Sequence, residues 1–277
     1  MIITKLQGGL GNQLFQYAVG RHLALKNNAQ LKFDLSFYGV PENASFRPFE
    51  LGSFQLASTV TPKNNRWNYQ LKRLAGKLGL IKLITERNTS YNQSVLAAKG
   101  NVYLEGYWQS ERYFAAISDT IRHDLTFPEP VPEDRLEIID QIKKNLSVAV
   151  HIRRGDYVKL SNYVDLGESD YYKKAVDLIS SKLDNIVYFI FSDDIDWVKQ
   201  NIHLQGNCVY VEKSENALVD LQLISLCQHQ IIANSSFSWW GAWLNKNPTK
   251  TIIAPNRWFS DPQINTSDII PSGWIKI

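Results

Sequence analysis

Two patterns of apolar residues alternate along most of this chain. Short runs of β-branched and aromatic residues are typical of buried strands, and longer segments with apolar residues three and four positions apart are typical of helices. The second half predicts helices at 133–144, 169–183, 194–201, 216–227 and 237–244 and strands at 147–152, 186–191, 208–211, 230–233 and 251–254. Strands that alternate with helices favour a parallel sheet with right-handed crossover connections.

The first half shows the same alternation less regularly. It predicts strands at 1–6, 30–35 and 102–105, helices at 14–26, 62–80 and 111–123, and an irregular aromatic stretch at 46–56. Three prolines between 128 and 132 form a stiff connector, which is the clearest boundary signal in the chain. We therefore predict an α/β protein with two Rossmann-like domains, 1–130 and 131–277, that face a cleft.

Composition limits the functional classes. The 277 residues carry a net charge of +3, which is too weak to indicate a nucleic-acid binder and suits one local anionic site. We expect no signal peptide, because a strand begins at Ile2, and no membrane span, because no run of 18 apolar residues occurs. A cytoplasmic location follows. The basic side of 62–80 is also compatible with peripheral contact at the inner membrane, although a solvated helix face is the simpler interpretation.

Polar residues follow two adjacent predicted strands at the point where each strand ends. Arg153 and Arg154 follow 147–152, and two neighbouring guanidinium groups form a fork suited to a phosphate or a carboxylate. Asp193 and Asp194 follow the next strand and suit the N–H groups of a base or the hydroxyls of a ribose. Capping of the following helix is an alternative interpretation of these two aspartates.

A third polar loop precedes the helix at 237–244. It contains Asn234, Ser235, Ser236 and Phe237, and hydroxyls with backbone N–H groups ahead of a helix commonly bind anions. Helix capping is an equally good interpretation of the two serines. Because ligands bind at the carboxyl ends of strands in open α/β sheets, the three loops together predict a site for a base, a ribose and a diphosphate.

The glycine-rich turn at 8–13 is less specific. It joins a strand to a helix, and Asn12 lies near the start of that helix, where amide dipoles converge. Its spacing matches neither the dinucleotide-binding fingerprint nor a P-loop, so it does not by itself indicate either kind of site.

Together these stretches resemble motifs of glycosyltransferase family 11, the α1,2-fucosyltransferases. The similar stretches are H-I-R-R-G-D-Y at 151–157, G-G-L-G-N-Q-L-F-Q at 8–16, F-S-D-D at 191–194, N-S-S-F-S-W-W at 234–240 and F-R-P-F-E-L at 46–51. They occur in the family's order across essentially the whole chain. The expected absence of a signal anchor makes the chain resemble a bacterial member.

The resemblance implies a GT-B-like architecture whose second domain binds the donor. It implies an inverting transfer of L-fucose from GDP-β-L-fucose to the 2-hydroxyl of a galactose-terminated glycan or glycolipid, in surface polysaccharide or lipopolysaccharide biosynthesis. The resemblance implies that Arg153 contacts the β-phosphate and that Arg154 supports this site or pairs with Asp156. It implies that His151 and Asp193 or Asp194 hold guanine, and that Asn12 contacts the fucose or the pyrophosphate. The residues implied at the diphosphate are Ser235 and Ser236, with the loop residues Asn234 and Phe237.

No metal or other cofactor is expected. The departing GDP gains negative charge, which Arg153 and the helix N-terminus near Ser235 would stabilise without an ion. D-I-D at 194–196 has the spacing of a metal-binding motif, yet Asp196 fits a first-turn helix residue that the helix dipole favours.

Several points remain open at the level of sequence. An oxocarbenium-like transition state does not require a strong base. The sequence does not distinguish among Asp156, Glu50 and His22 as candidates for that base. The linkage to the acceptor is open, since α1,3 transfer would use the same donor. A non-catalytic nucleotide- or glycan-binding protein, with the tryptophans of 239–243 as a sugar platform, is a further alternative. The acceptor itself is unnamed, and 46–56 and 107–110 are the stretches expected to shape its pocket.

Overall fold

The described part of the chain forms two compact units. The computed structural model describes residues 1–39, 48–54, 56, 58–60, 76, 78–128, 131–155 and 162–277. One unit comprises Met1–Thr126 with Asn265–Ile269, and the other comprises Phe127–Ile264 with Ile270–Ile277. Each unit contains a parallel sheet, so the predicted α/β class is confirmed. The predicted domains 1–130 and 131–277, with a separate task for each, stay a prediction.

The first unit contains a five-stranded sheet in the order β3-β2-β1-β5-β4. Its elements are β1 (Ile2–Lys5), α1 (Leu10–Lys26), β2 (Leu31–Asp34), β3 (Thr59–Val60), β4 (Lys82–Thr85), β5 (Val102–Glu105) and α2 (Ser118–Asp124). Single 3-10 turns occur at Ser36–Gly39, Leu51–Ser53, Gln93–Val95, Glu111–Tyr113 and Ala115–Ile117.

The predictions for this unit were partly wrong. The segment 111–123 begins as two 3-10 turns, because Phe114 adopts φ −139° and ψ 6° and interrupts the helix before Ser118. The strand β4 was missed because it is only partly buried and so lacks the pattern of buried apolar residues that marks β1, β2 and β5. The predicted basic helix at 62–80 lies mostly outside the described residues.

The second unit contains a six-stranded parallel sheet in the order β11-β10-β9-β6-β7-β8. Its elements are a 3-10 turn (Glu133–Arg135), α3 (Leu136–Lys144), β6 (Leu146–Ile152), α4 (Tyr171–Ser180), β7 (Ile186–Ser192), α5 (Ile195–Asn201), β8 (Asn207–Val211), α6 (Ala217–Leu226), β9 (His229–Ile231), α7 (Ser236–Leu244), β10 (Ile252–Ala254) and β11 (Ile275–Lys276). All ten elements predicted here are present within a few residues, and β11 is an addition.

Strand β6 is the centre of this sheet. It pairs with β7 on one side and with β9 on the other. Val148, Val150 and Ile152 pack into a core that contains α4, and Ala149 packs into a second core that contains α3 and α6. Apolar side chains on both faces are expected of a strand in a doubly covered parallel sheet.

The strand order reverses once in each sheet. In the second unit β6, β7 and β8 follow one another outward, while β9, β10 and β11 follow outward on the other side of β6. In the first unit the reversal lies between β1 and β5. Ligands of open α/β sheets bind outside the carboxyl ends of the strands at such switch points. Each unit therefore offers one position where a ligand site is expected.

Among the helices of the described residues, none combines the length and the apolar character needed to cross a lipid bilayer.

Candidate functional site

The three polar loops of the second unit lie along the carboxyl edge of its sheet. Arg153 follows β6, Asp193 follows β7, and Ser235 lies between β9 and α7. Because these strands are parallel and adjacent, their ends share one edge, and Ile152 of β6 pairs with Ser192 of β7. The predicted nucleotide residues are therefore assembled around the switch point of the second sheet.

Asp193 connects β7 to the loop after β6. Its Oδ2 lies 2.9 Å from Nη1 of Arg153 in an ion pair, and its Oδ1 accepts a 2.9 Å hydrogen bond from the backbone N–H of Arg154. The side chains of Arg153 and Asp193 are 15% and 13% exposed, so water screens the pair only partly. A Cβ at Gly155 would collide with Oδ2 of Asp193, so a side chain there would displace this carboxylate. Contact of Asp193 with a base stays a prediction.

The side chain of Arg154 contacts two other residues. Its Nη1 lies 3.3 Å from Oδ2 of Asp165, and its guanidinium carbon lies 3.6 Å from the centre of the Trp197 ring on α5. Cation–π contact of this kind adds to the ion pair. The partner predicted from sequence, Asp156, lies outside the described residues. These contacts agree with the supporting role expected for Arg154.

His151 is the last buried polar side chain of β6. It is 5% exposed, and its ring lies 5.8 Å from that of Phe237 on α7. Burial, followed by the positive charge of Arg153, lowers the pKa of His151 to about 4 against the opposing effect of Asp193. The imidazole is therefore neutral at pH 7, and its Nδ1 has no hydrogen-bond partner among the described residues.

The capping interpretation is correct for two of the predicted ligands. Ser235 caps α7, since its Oγ accepts a 3.3 Å hydrogen bond from the N–H of Phe237. Asp194 caps α5 in the same way, with Oδ1 3.2 Å from the N of Trp197. Ser236 is the first residue of α7 and is half-buried. The capped α7 still directs its amino-terminal dipole to the switch point, where an anion would be stabilised.

Asn234 has a structural task in the same loop. Its Nδ2 donates to the carbonyl oxygens of Val164 and Trp258 at 3.0 and 2.9 Å. The side chain thus ties the β9–α7 connection to two other loops of the unit. It holds the start of α7 in place, and direct contact with a ligand stays a prediction.

The tryptophans after this loop do not form a platform. Trp239 and Trp240 are completely buried and Trp243 is 6% exposed. Their rings pack on one another, with centroids of Trp239 and Trp240 5.2 Å apart. The interpretation of this cluster as a sugar-binding surface was wrong, because these side chains belong to the core.

In the first unit, the glycine-rich motif contains two structural glutamines. Gln13 accepts from the N–H groups of Glu50 and Leu51 and donates to the carbonyls of Gly8 and Pro48. Gln16 similarly bonds Gln7 and the carbonyl of Gly106. Both are fully buried and their amides are satisfied. Their role is to fix the turn that carries Asn12.

Asn12 differs from these glutamines because it is half-buried at the carboxyl edge of the first sheet. Its Oδ1 accepts a 2.8 Å hydrogen bond from Nε2 of Gln109, which follows β5. The ends of β1 and β5 meet at the switch point of this sheet, so Asn12 lies at the ligand position expected for the first unit. Sequence reasoning missed Gln109 as its partner.

The three candidate bases differ in their surroundings. Nδ1 of His22 lies 2.6 Å from the carbonyl oxygen of Tyr113, so this ring takes part in the packing of the first unit. Glu50 is half-buried beside Gln13, and Asp156 lies outside the described residues. Within the described residues, no group of three or more His, Cys, Asp or Glu side chains is arranged to hold a metal ion.

Comparison with protein families gives a match over the complete sequence. The model described as Glycosyl transferase family 11 matches residues 1–277. The "Alpha-1,2-colitosyltransferase" of Escherichia coli is 34% identical, and the alignment covers 100% of this chain and 99% of that protein. The "O-antigen biosynthesis glycosyltransferase WbnK" of Escherichia coli is 30% identical, over 98% of this chain and 99% of that protein. A solved structure, "fucosyltransferase NodZ from Bradyrhizobium", is 16% identical with a TM-score of 0.46 and covers 87% of this chain and 91% of its own.

The buried His151 predicts a specific loss of stability in acid. Its pKa of about 4 lies below the ordinary value of 6.5, so the folded state disfavours the proton and stability is lost as the pH falls through 6.5 towards 4. Between pH 7.5 and pH 5.0 this group should cost about 2 kcal/mol of unfolding free energy. Urea denaturation at the two pH values should show a smaller loss for His151→Gln than for the unchanged protein, and equal losses would contradict the assignment.

Proposed function

The chain belongs to glycosyltransferase family 11, and from this membership we propose that it transfers L-fucose from GDP-β-L-fucose to the 2-hydroxyl of a terminal galactoside. The transfer inverts the anomeric carbon and contributes to a surface polysaccharide such as an O-antigen. The observation that carries the proposal is the ion pair of Arg153 with Asp193 at the switch point of the second sheet. A positioned guanidinium at that edge is suited to the diphosphate of the donor.

The main catalytic task is to stabilise the leaving group. As the bond from C1 of the sugar to the phosphate oxygen breaks, GDP takes the electron pair and its β-phosphate gains negative charge. Donors that are already in place when the charge develops lower the barrier, because they need no reorganisation at that moment. Arg153 is oriented by Asp193, and the N-terminus of α7 adds a fixed dipole.

The other residues have supporting roles in this proposal. Neutral His151 and the Asp193–Asp194 loop lie at the nucleoside side, and Ser235 and Ser236 present backbone N–H groups to the phosphates. Arg154 supports the start of the loop after β6 through its contacts with Asp165 and Trp197. In this proposal Asn12 of the first unit contacts the fucose or the pyrophosphate, and the acceptor binds beside it.

The acceptor hydroxyl loses its proton late in such a reaction. An oxocarbenium-like transition state has little bonding to the nucleophile, so a strong base is not required. Asp156 and Glu50 are the remaining candidates, because His22 already contacts the carbonyl of Tyr113. A metal ion is not part of the proposed mechanism, since Arg153 supplies the positive charge.

A second donor is favoured by one comparison. The relative named "Alpha-1,2-colitosyltransferase" is 34% identical over the whole chain, and colitose is L-fucose without its 3-hydroxyl. GDP-colitose would present the same diphosphate to Arg153 and the same guanine to the strand ends. Transfer of colitose by this chain is therefore the alternative function, and α1,3 transfer of fucose is the alternative linkage.

The proposed reaction predicts a defined product without added metal. The purified protein should transfer fucose from GDP-fucose to a β-galactoside in excess chelator, release GDP, and give a product whose NMR spectrum shows an α1,2 linkage. Transfer from GDP-colitose only would favour the alternative donor, and an α1,3 spectrum the alternative linkage. Binding of GDP without transfer from either donor to any galactoside would contradict the proposal, as would a complete requirement for Mn²⁺.

Removal of the Arg153 side chain should act on turnover. Arg153→Ala is expected to lower kcat about a hundredfold or more, since one donor to a developing anion typically contributes that much. Arg135→Ala is the matched control, because Arg135 is equally exposed at 15% in the same unit but bonds Asp134 and the carbonyl of Glu212. Steady-state kinetics of both variants decide the role, and near-normal turnover in Arg153→Ala would remove it.

A further inference from the structure

The loop after β5 is held in an unusual conformation. Trp108 adopts φ +58°, in the left-handed region that bulky side chains rarely occupy. Such a backbone is strained and persists only when its surroundings impose it. The ring of Trp108 is 1% exposed and packs edge-on against Tyr113, with centroids 5.5 Å apart. This packing explains why the Trp108 ring is buried, but it does not by itself hold the Trp108 backbone at a positive φ.

The carboxylate of Glu86 imposes the backbone of this loop. Glu86 directly follows β4, and its Oε2 and Oε1 accept hydrogen bonds from the N–H groups of Tyr107 and Trp108 at 2.6 and 3.0 Å. A Cβ at Gly106 would collide with Cβ of Glu86, so glycine is needed for the approach. Gln16 donates to the carbonyl of Gly106 at 3.1 Å. The loop is thereby fixed from both sides.

This carboxylate is maintained at a cost to stability. Burial raises the pKa of Glu86, and the hydrogen bonds from Tyr107 and Trp108 offset only part of that effect. A raised pKa means that the folded state disfavours the ionised form, a penalty that is present above the folded pKa and disappears as the pH falls through it. Within the described residues Glu86 forms no ion pair, and the nearby Lys5 pairs with Glu105.

Gln109, which follows the strained Trp108, contacts Asn12, a predicted catalytic residue. Nε2 of Gln109 donates to Oδ1 of Asn12 at 2.8 Å. The Asn12 amide lies over Gly8, where a Cβ would approach Nδ2 to 2.6 Å. With Oδ1 engaged by Gln109, the amide N–H₂ of Asn12 is the group available to a ligand at this switch point. The direction of that amide thus depends on where Gln109 is held.

We propose that Glu86 is a positioning residue for the transferase reaction. By accepting the hydrogens of two successive backbone amides, it holds Gln109 against Asn12 and sets the direction in which the Asn12 amide donates. The inference rests on the proposed function, in which Asn12 contacts the fucose or the pyrophosphate. In this proposal the loop from Gly106 to Gln109 orients the Asn12 side chain for the reaction, in addition to shaping the acceptor pocket.

The test is a double-mutant cycle between Glu86 and Gln109. In Glu86→Gln one amide oxygen replaces two carboxylate oxygens, and the new N–H₂ faces a backbone N–H. We expect kcat to fall about tenfold to a hundredfold, the range that a displacement near 1 Å produces. The dissociation constant for GDP should change less than about twofold, since GDP itself would be bound by the second unit. The double variant with Glu86→Gln and Gln109→Ala should have nearly the same kcat as the Gln109→Ala variant, because both changes break the same chain of contacts to Asn12.

Controls separate this inference from a general loss of structure. Asp124→Asn removes a carboxylate of the same unit that pairs with Arg21 and Tyr17, and it should leave kcat unchanged. If Glu86→Gln fails to fold, Glu86→Asp keeps the charge but is one methylene too short for both amides, and the same cycle applies. Near-normal kcat in the Glu86 variant, or multiplicative effects in the cycle, would overturn the inference. Absence of transfer by the unchanged protein would instead refute the proposed function.

Discussion

The candidate site depends on one ion pair between neighbouring strand ends. Arg153 and Asp193 extend from β6 and β7, and their contact of 2.9 Å is mostly shielded from water. The same carboxylate also holds the backbone of Arg154, so one side chain orients the Arg153 guanidinium and fixes the first residues after β6. A cation that is positioned before its ligand arrives can stabilise developing charge without reorganisation. The start of α7 is held separately, by the hydrogen bonds of Asn234 to the carbonyls of Val164 and Trp258.

Each unit has a switch point at the carboxyl edge of its sheet, but the groups found there differ between the two units. In the second unit the switch point lies between β6 and β9, where a cation, a neutral imidazole and the N-terminus of α7 meet. In the first unit it lies between β1 and β5, where Asn12 and Gln109 pair. Anion binding suits the former and directional hydrogen bonding to a sugar suits the latter. The two switch points therefore offer a ligand different kinds of contact.

The sequence predicted the second unit well because its apolar periodicity is strong and regular. The strand at 147–152 and the positions of Arg153 and Asp193 follow from that periodicity. Contacts between distant parts of the chain could not be predicted in this way. Arg154 pairs with Asp165 and Trp197, and Glu86 supports Tyr107, which lies 21 residues later, because tertiary packing joins segments that no local pattern relates. The tryptophans after Phe237 looked like a ligand surface, since composition does not distinguish a buried ring from an exposed one.

The most direct test of the account is a crystal structure of the protein with GDP. The account predicts β-phosphate oxygens within hydrogen-bonding distance, about 3 Å, of the Arg153 guanidinium and of the first backbone amides of α7. The Arg153–Asp193 ion pair should remain intact in that complex. A diphosphate bound away from Arg153, or a metal ion between the phosphate and the protein in its place, would contradict the central claim.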